Sequence, residues 1–260
     1  MSAETAFLTA ILGLLAGAIG ALAGIGGGII LTPVLAMYFG LPMHQAIGTS
    51  LAAVIATSTA TSSVYLERGV TDIRLGMTLE LATTIGAAIA AVVAGYINRR
   101  TLALMFAIFL FYSAASLVRR AWRARNEMLQ TEVPEYTVRR YPLGLATALV
   151  AGGFSGLLGI GGGPIKVPVM YLFMGVPLRV ATATSNFMIG VTAATSAYIY
   201  YARGDIKVPV VAPVVVGVFM GSLLGARLAP RVRVTYILFL LIAVTLYLSV
   251  QLVLRLVLRG

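Results

Sequence analysis

The sequence predicts an all-α membrane protein of about eight transmembrane helices plus two short broken or re-entrant half-helices, arranged as two homologous repeats. Three observations predict it. Of the 260 residues, 60% are apolar and only 10% are charged, with a mean hydropathy of +0.98, whereas a soluble domain carries about 25% charged residues. Apolar runs long enough to cross a bilayer recur along the chain, and a glycine cluster recurs at a fixed offset of 135 residues. This composition excludes a soluble enzyme and a disordered chain.

A spanning helix needs about 20 apolar residues to cross about 30 Å of hydrocarbon. Runs of that size lie at about 5–23, 44–66, 75–97, 101–118, 142–158, 178–201, 208–229 and 234–254. The first is read as part of the mature protein, because residues 1–6 hold Glu4 and no Lys or Arg, and so lack the positive start of a cleaved signal. Two further apolar segments, about 29–40 and 164–174, are too short. At about 1.5 Å per residue each covers about half the hydrocarbon core. Each follows a glycine cluster and ends at a Gly-x-Pro, Gly40-Leu41-Pro42 or Gly175-Val176-Pro177.

The short segments expose the repeat. GIGGG at 24–28 returns at 159–163, and residues 24–69 match 159–204 at 17 of 46 positions. Pro33 meets Pro168, Thr49-Ser50 meets Thr184-Ser185, and Arg68-Gly69 meets Arg203-Gly204. The chain therefore reads as a first transmembrane repeat at 1–118, a polar linker at 119–141 and a second repeat at 142–260. The linker carries Arg119, Arg120, Arg123, Arg125, Arg139 and Arg140, so the positive-inside rule places it in the cytoplasm. If each short segment folds back on the helix before it, each half crosses an odd number of times and the halves are inverted, the arrangement expected here. If it completes a crossing, they are parallel.

The net charge of +11 is assigned to cytoplasmic loops and helix ends rather than to nucleic acid, since no basic patch is interleaved with aromatic residues. The chain has no Cys, one His (His44) and few carboxylates, so thiol chemistry and a metal site are not expected, and no cofactor is. No Ser–His–acid set, HExxH or paired aspartates supports hydrolysis, and no Lys-Ser or Lys-Thr follows either glycine cluster to make a phosphate-binding loop. An enzyme is not expected.

The candidate substrate site starts from Gly26, Gly27 and Gly28 and their repeats Gly161, Gly162 and Gly163. Glycines at hydrocarbon depth break helical hydrogen bonding, and the half-helices after them begin at about Ile29 and Pro164. A half-helix N-terminus presents amides and the positive end of its dipole, so it attracts an anion. Packing of small residues is the alternative role for such glycines. Thr49, Ser50, Thr184, Ser185 and Asn186 lie about seven residues into their helices, about 10 Å down, where hydroxyls and an amide can donate to an oxyanion or bond back into their own helix. Lys166 sits three residues past the second cluster and opposes the helix dipole, a cost that a bound anion offsets; a snorkelling lysine is the alternative. Its counterpart is Leu31. Glu80 is the carboxylate inside a predicted span and a candidate for proton coupling, or else lies at headgroup level. Tyr65, Tyr200, Tyr201 and Trp122 lie near span ends and read as interfacial belt residues.

The duplicated GIGGG–Pro–Gly-x-Pro–(G/A)TS pattern, the Arg-Gly turn after it and the small-residue stretch VGVFMGSLLGARLA at 216–229 resemble the sulfite exporter TauE/SafE family of membrane permeases. The resemblance covers nearly the whole chain. It implies a small sulfur-containing or carboxylate anion as substrate, such as sulfite, a sulfonate or thiosulfate, moved in either direction. The first copy reads Gly48-Thr49-Ser50 and the second Ala183-Thr184-Ser185-Asn186, so the halves are expected to contribute unequally.

The expected function is a secondary transporter in the cell (inner) membrane, working by alternating access and coupled to protons. A passive anion channel and a non-transporting scaffold or receptor subunit are the alternatives. The expected partners are the organosulfur anion, membrane lipid and, as the one oligomer considered, a second copy in a homodimer.

Overall fold

The computed structural model describes residues 3–124, 135–232 and 234–258. Ten helices run in order: α1 (Ala3–Ala23), α2 (Gly28–Tyr38), α3 (Met43–Glu67), α4 (Ile73–Ala94), α5 (Arg99–Ala124), α6 (Tyr141–Leu158), α7 (Gly163–Leu172), α8 (Leu178–Ala202), α9 (Val208–Leu228) and α10 (Val234–Leu258). Among the described residues there is no strand. Seven of the helices are long and apolar enough to cross a membrane: α1, α3, α4, α5, α6, α9 and α10. The eighth expected span, α8, is as long as α3 at 25 residues, but with Thr, Ser and Asn along it no bilayer-length stretch of it is as apolar as those seven. Helix α5 runs past residue 118 to Ala124, since no Gly or Pro interrupts it. The linker residues 125–134, with Arg125, Glu127 and Glu132, lie outside the described residues.

The two short helices, α2 and α7, start at Gly28 and Gly163. Gly26 and Gly27 (φ +77° and +72°) and Gly161 and Gly162 (φ +76° and +74°) adopt left-handed backbone. A side chain is strained there, so glycine lets the chain reverse at each cluster. Each half-helix ends before a Gly-x-Pro whose glycine is also left-handed, at Gly40 and Gly175, and the following proline opens α3 or α8.

The repeat organises the packing. Helix α1 lies on α9 and α6 lies on α4, while α3 faces α8 and α5 faces α10. Each of these contacts maps onto itself or onto another when the halves are exchanged. A Cβ on Gly221 would collide with the carbonyl oxygen of Leu14, and one on Gly86 would collide with that of Leu149. These two contacts are the same pair at the 135-residue offset. Backbones approach this closely only where one partner lacks a side chain, which is how membrane helices gain packing energy without a hydrophobic drive between them. The main core gathers round the glycine loops, with Ile25, Leu31, Leu51, Val54, Ile160 and Ile189 buried. Outward faces of α1, α4 and α9 carry Phe7, Leu81, Ile89 and Val216 exposed, as expected of surfaces that meet lipid.

Candidate functional site

The two glycine loops meet at the centre of the bundle. A Cβ on Gly28 would run into the carbonyl of Gly159, and one on Gly163 would run into that of Gly24. All residues from Gly24 to Gly28 and from Gly159 to Gly163 are buried. The α2 and α7 N-termini carry no side-chain cap, because glycine occupies each capping position. Helix starts leave up to four amides without helical partners, so both positive dipole ends converge on one buried region.

Where α1 and α6 end, carbonyls rather than amides need partners, and helices α3 and α8 supply them. The Ser50 hydroxyl donates to Gly159 O at 2.8 Å, and Ser185 donates to Gly24 O at 3.1 Å. These are the same bond in the two halves, and both cross between halves. Asn186 Nδ2 donates to Ala21 O at 3.1 Å. Thr57 donates to Gly26 O at 3.2 Å, and Ser58 crosses to Asn186 O at 2.6 Å. Thr184 Oγ1 accepts from the Asp72 amide at 3.0 Å. In this conformation four of the five expected polar ligands hold backbone. Thr49 Oγ1 and Asn186 Oδ1 are buried without a hydrogen-bond partner, as are six other side-chain atoms among the described residues, Ser155 Oγ and Ser222 Oγ included.

Lys166 is 3% exposed and Glu80 is 5% exposed. They face each other across the halves, with Lys166 Nζ at 3.4 Å from Glu80 Oε2. Thr192 accepts from Lys166 Nζ at 3.2 Å and donates to Glu80 Oε1 at 2.5 Å, and Thr84 donates to the same oxygen at 3.3 Å. Both side chains are thus enclosed by protein and paired with each other rather than extended along the outer surface. A Cβ on Gly162 would sit 3.1 Å from Lys166 Cε, so the lysine stem lies along the second glycine loop.

The structure corrects the belt reading of two tyrosines. Tyr65 and Tyr200 are buried, and each donates at 3.1 Å to the end of the helix before its half's glycine cluster, to Ala21 O of α1 and Gly156 O of α6. Their place near span ends was misleading; the need for donors at the glycine-terminated helices governs. Tyr201 and Trp122 are exposed. Thr57, Thr192, Tyr65 and Tyr200 were missed as part of the central network, although each pair is an identity at the 135-residue offset.

Residues 9–252 match the family described as Sulfite exporter TauE/SafE. The chain belongs to the sulfite exporter TauE/SafE family. As a member of that family it is a multi-pass membrane transporter and not an enzyme. It is 30% identical over 214 residues to the probable membrane transporter protein YunE of Bacillus subtilis, covering 76% of this chain and 78% of that one. A probable membrane transporter protein of Methanocaldococcus jannaschii is 27% identical over 221 residues, with 78% of each chain covered. One from Haemophilus influenzae is 26% identical over 205 residues, covering 78% of this chain and 75% of its own. No solved structure matches this TauE/SafE chain.

Proposed function

We propose that the protein is a secondary transporter that moves a small organosulfur anion, a sulfonate or sulfite, across the cell membrane by alternating access, coupled to protons. The observation that carries the reading is the meeting of two uncapped half-helix N-termini at the buried glycine loops. Two dipole ends favour an anion there, and the absence of side chains lets its oxygens approach the amides. Gly26, Gly27, Gly28, Gly161, Gly162 and Gly163 supply amides. Thr49 and Lys166 supply a hydroxyl and a charge, and Ser50, Thr184, Ser185 and Asn186 turn from backbone to substrate as the helices shift. Glu80 carries the proton. The family's name points to the same ligand class.

The halves are inverted in this reading. Support comes from the pairing of equivalent helices: Gly48, near the start of α3, packs on Asp205 and Ile206 just past the end of α8, and Thr184, near the start of α8, bonds Asp72 just past the end of α3. Equivalent helices that run in opposite directions favour a two-fold axis in the membrane plane. The 119–141 linker lies in the cytoplasm.

The test is thermal unfolding of the purified protein in detergent against sulfite, thiosulfate, methanesulfonate, small carboxylates, phosphate and neutral or cationic solutes. A ligand at 100 times its Kd adds about 2.7 kcal/mol. A shift with sulfonate or sulfite, lost in Gly162→Leu, is the expected result. A shift only with neutral or cationic solutes sinks the reading.

A further inference from the structure

The Glu80–Lys166 pair is one-sided. At the 135-residue offset the other half places Leu31 for Lys166 and Val215 for Glu80, and Leu31 is fully buried. Val215 is partly buried against the same core, so the equivalent positions of the other half carry apolar side chains in place of the two charges. Few other charges reach Glu80. Helix α6 carries none, α7 only Lys166, and α8 only Arg179 in its first turn; α4 itself adds Arg74, exposed in its first turn. The titratable tyrosines of these helices are Tyr141, Tyr171, Tyr198, Tyr200 and Tyr201, all at or near helix ends.

The pair is also near a way in. A gap of about 10 Å³ lies beside Lys166, walled by Leu79, Gly144, Thr147 and Met170, room for about one water. Met174 also lines the gap, and its neighbours Phe173 and Gly175 line a surface cavity of about 480 Å³ with Arg139 and Arg140. Glu135 lines that cavity too, and the end of α7 lies between the cavity and the gap at Lys166.

We propose that Lys166 is the seat of the transported anion and that Glu80 holds this seat when substrate is absent, so that each monovalent oxyanion bound brings one proton. This rests on the reading of the chain as an anion carrier and specifies its coupling. The incoming oxyanion takes the place of Glu80 at the ammonium. A carboxylate left in the interior without a cation is strongly disfavoured, so Glu80 takes a proton from water at the open side and becomes a neutral acid. Thr192 serves both states, because a hydroxyl donates to the carboxylate and accepts from the acid. Anion and proton cross together with no net charge, and both leave on the far side as Glu80 returns to Lys166.

The experiment counts protons. Methanesulfonate is the probe, because it stays ionised and contributes no titration of its own; toluenesulfonate, monovalent for the same reason, follows if it does not bind. Protein in weakly buffered detergent is mixed with the anion while a pH indicator and calorimetry record proton uptake and binding. The wild type is expected to take up about one proton per monovalent anion bound. Glu80→Gln is expected to bind with no proton uptake, and in proteoliposomes to exchange anions while losing drive from a pH gradient. Lys166→Met is expected to lose binding at least tenfold. Binding with no proton uptake by the wild type overturns this inference and leaves the carrier reading standing. No binding of any anion overturns both. If Glu80→Gln does not fold, the wild-type count alone decides.

Discussion

The Tyr136 hydroxyl donates to Asp72 Oδ2 at 2.8 Å and ties the segment before α6 to the turn between α3 and α4. Asp72 is already committed there: its Oδ1 caps α4 by accepting from Leu75 N at 2.9 Å, and its amide donates to Thr184. One aspartate thus joins the linker, a helix start and the second half. The equivalent residue is Lys207, so the other end of the bundle has no matching tie.

Tyr136→Phe removes this bond and is expected to cost about 1.5 kcal/mol, the lower range for a hydrogen bond to a charged group. Burial first, then the hydrogen bond to Asp72 and its charge, hold the Tyr136 phenol well above its ordinary value. A group whose folded pKa lies above its unfolded value stabilises fully below the unfolded value and loses that effect as pH rises through the folded one. The wild type is therefore expected to keep its margin over the Phe variant unchanged from neutral pH to about pH 10. Melting temperatures across that range check it; a margin that vanishes between pH 7 and 9 contradicts the tie.

The mirrored contacts of Gly221 and Gly86 predict paired effects. Gly221→Ala and Gly86→Ala each drive a methyl into a backbone carbonyl of the facing helix and are each expected to cost about 1–3 kcal/mol. Gly153, in α6, has open space where a Cβ would go. Gly153→Ala is expected to be neutral or to stabilise by up to about 1 kcal/mol, the helix-propensity difference. Thermal melts of the three variants side by side decide, and equal losses in all three would refute the packing argument.

Much of this was legible in the sequence because the repeat is read twice. The half-helices, their Gly-x-Pro ends and the placement of Thr49 and Thr184 as the seventh residues of α3 and α8 follow from the aligned copies. The partners of those residues were not legible. Ser50 meets a carbonyl 109 residues away, and Glu80 meets a lysine 86 residues away. Such pairs depend on which helices cross, which hydropathy alone does not encode. Tyr65 and Tyr200 were misread for the same reason: a tyrosine near a span end is belt or buried donor according to what its helix faces.

The buried ion pair predicts a non-additive pattern. Removing one partner leaves the other buried and uncompensated, so Lys166→Met or Glu80→Leu is each expected to cost about 3–5 kcal/mol. The double variant Lys166→Met, Glu80→Leu is expected to lie within about 1 kcal/mol of wild type or above it, because an apolar pair of similar volume avoids the desolvation cost. Leu31 and Val215 at the equivalent places give the fold's own precedent. A double variant as unstable as the sum of the two singles would show the charges to be structural rather than held for function.

Thr49 separates ligand binding from support. Ser50→Ala removes a donor from Gly159 O, and Ser185→Ala removes one from Gly24 O, so each is expected to cost about 1–2 kcal/mol of stability in the substrate-free protein. Thr49 Oγ1 has no partner to lose. Thr49→Val keeps the shape and removes a buried, unpaired hydroxyl, so its stability is expected to match or exceed wild type. If Thr49 donates to the bound anion, the same variant weakens anion binding by about tenfold, the worth of one hydrogen bond of about 1.4 kcal/mol. Melting and calorimetric titration on the three variants check both halves of the prediction: a Thr49→Val protein that is stable and binds as well as wild type removes Thr49 from the site, whereas one that is stable and binds poorly assigns the hydroxyl to the substrate.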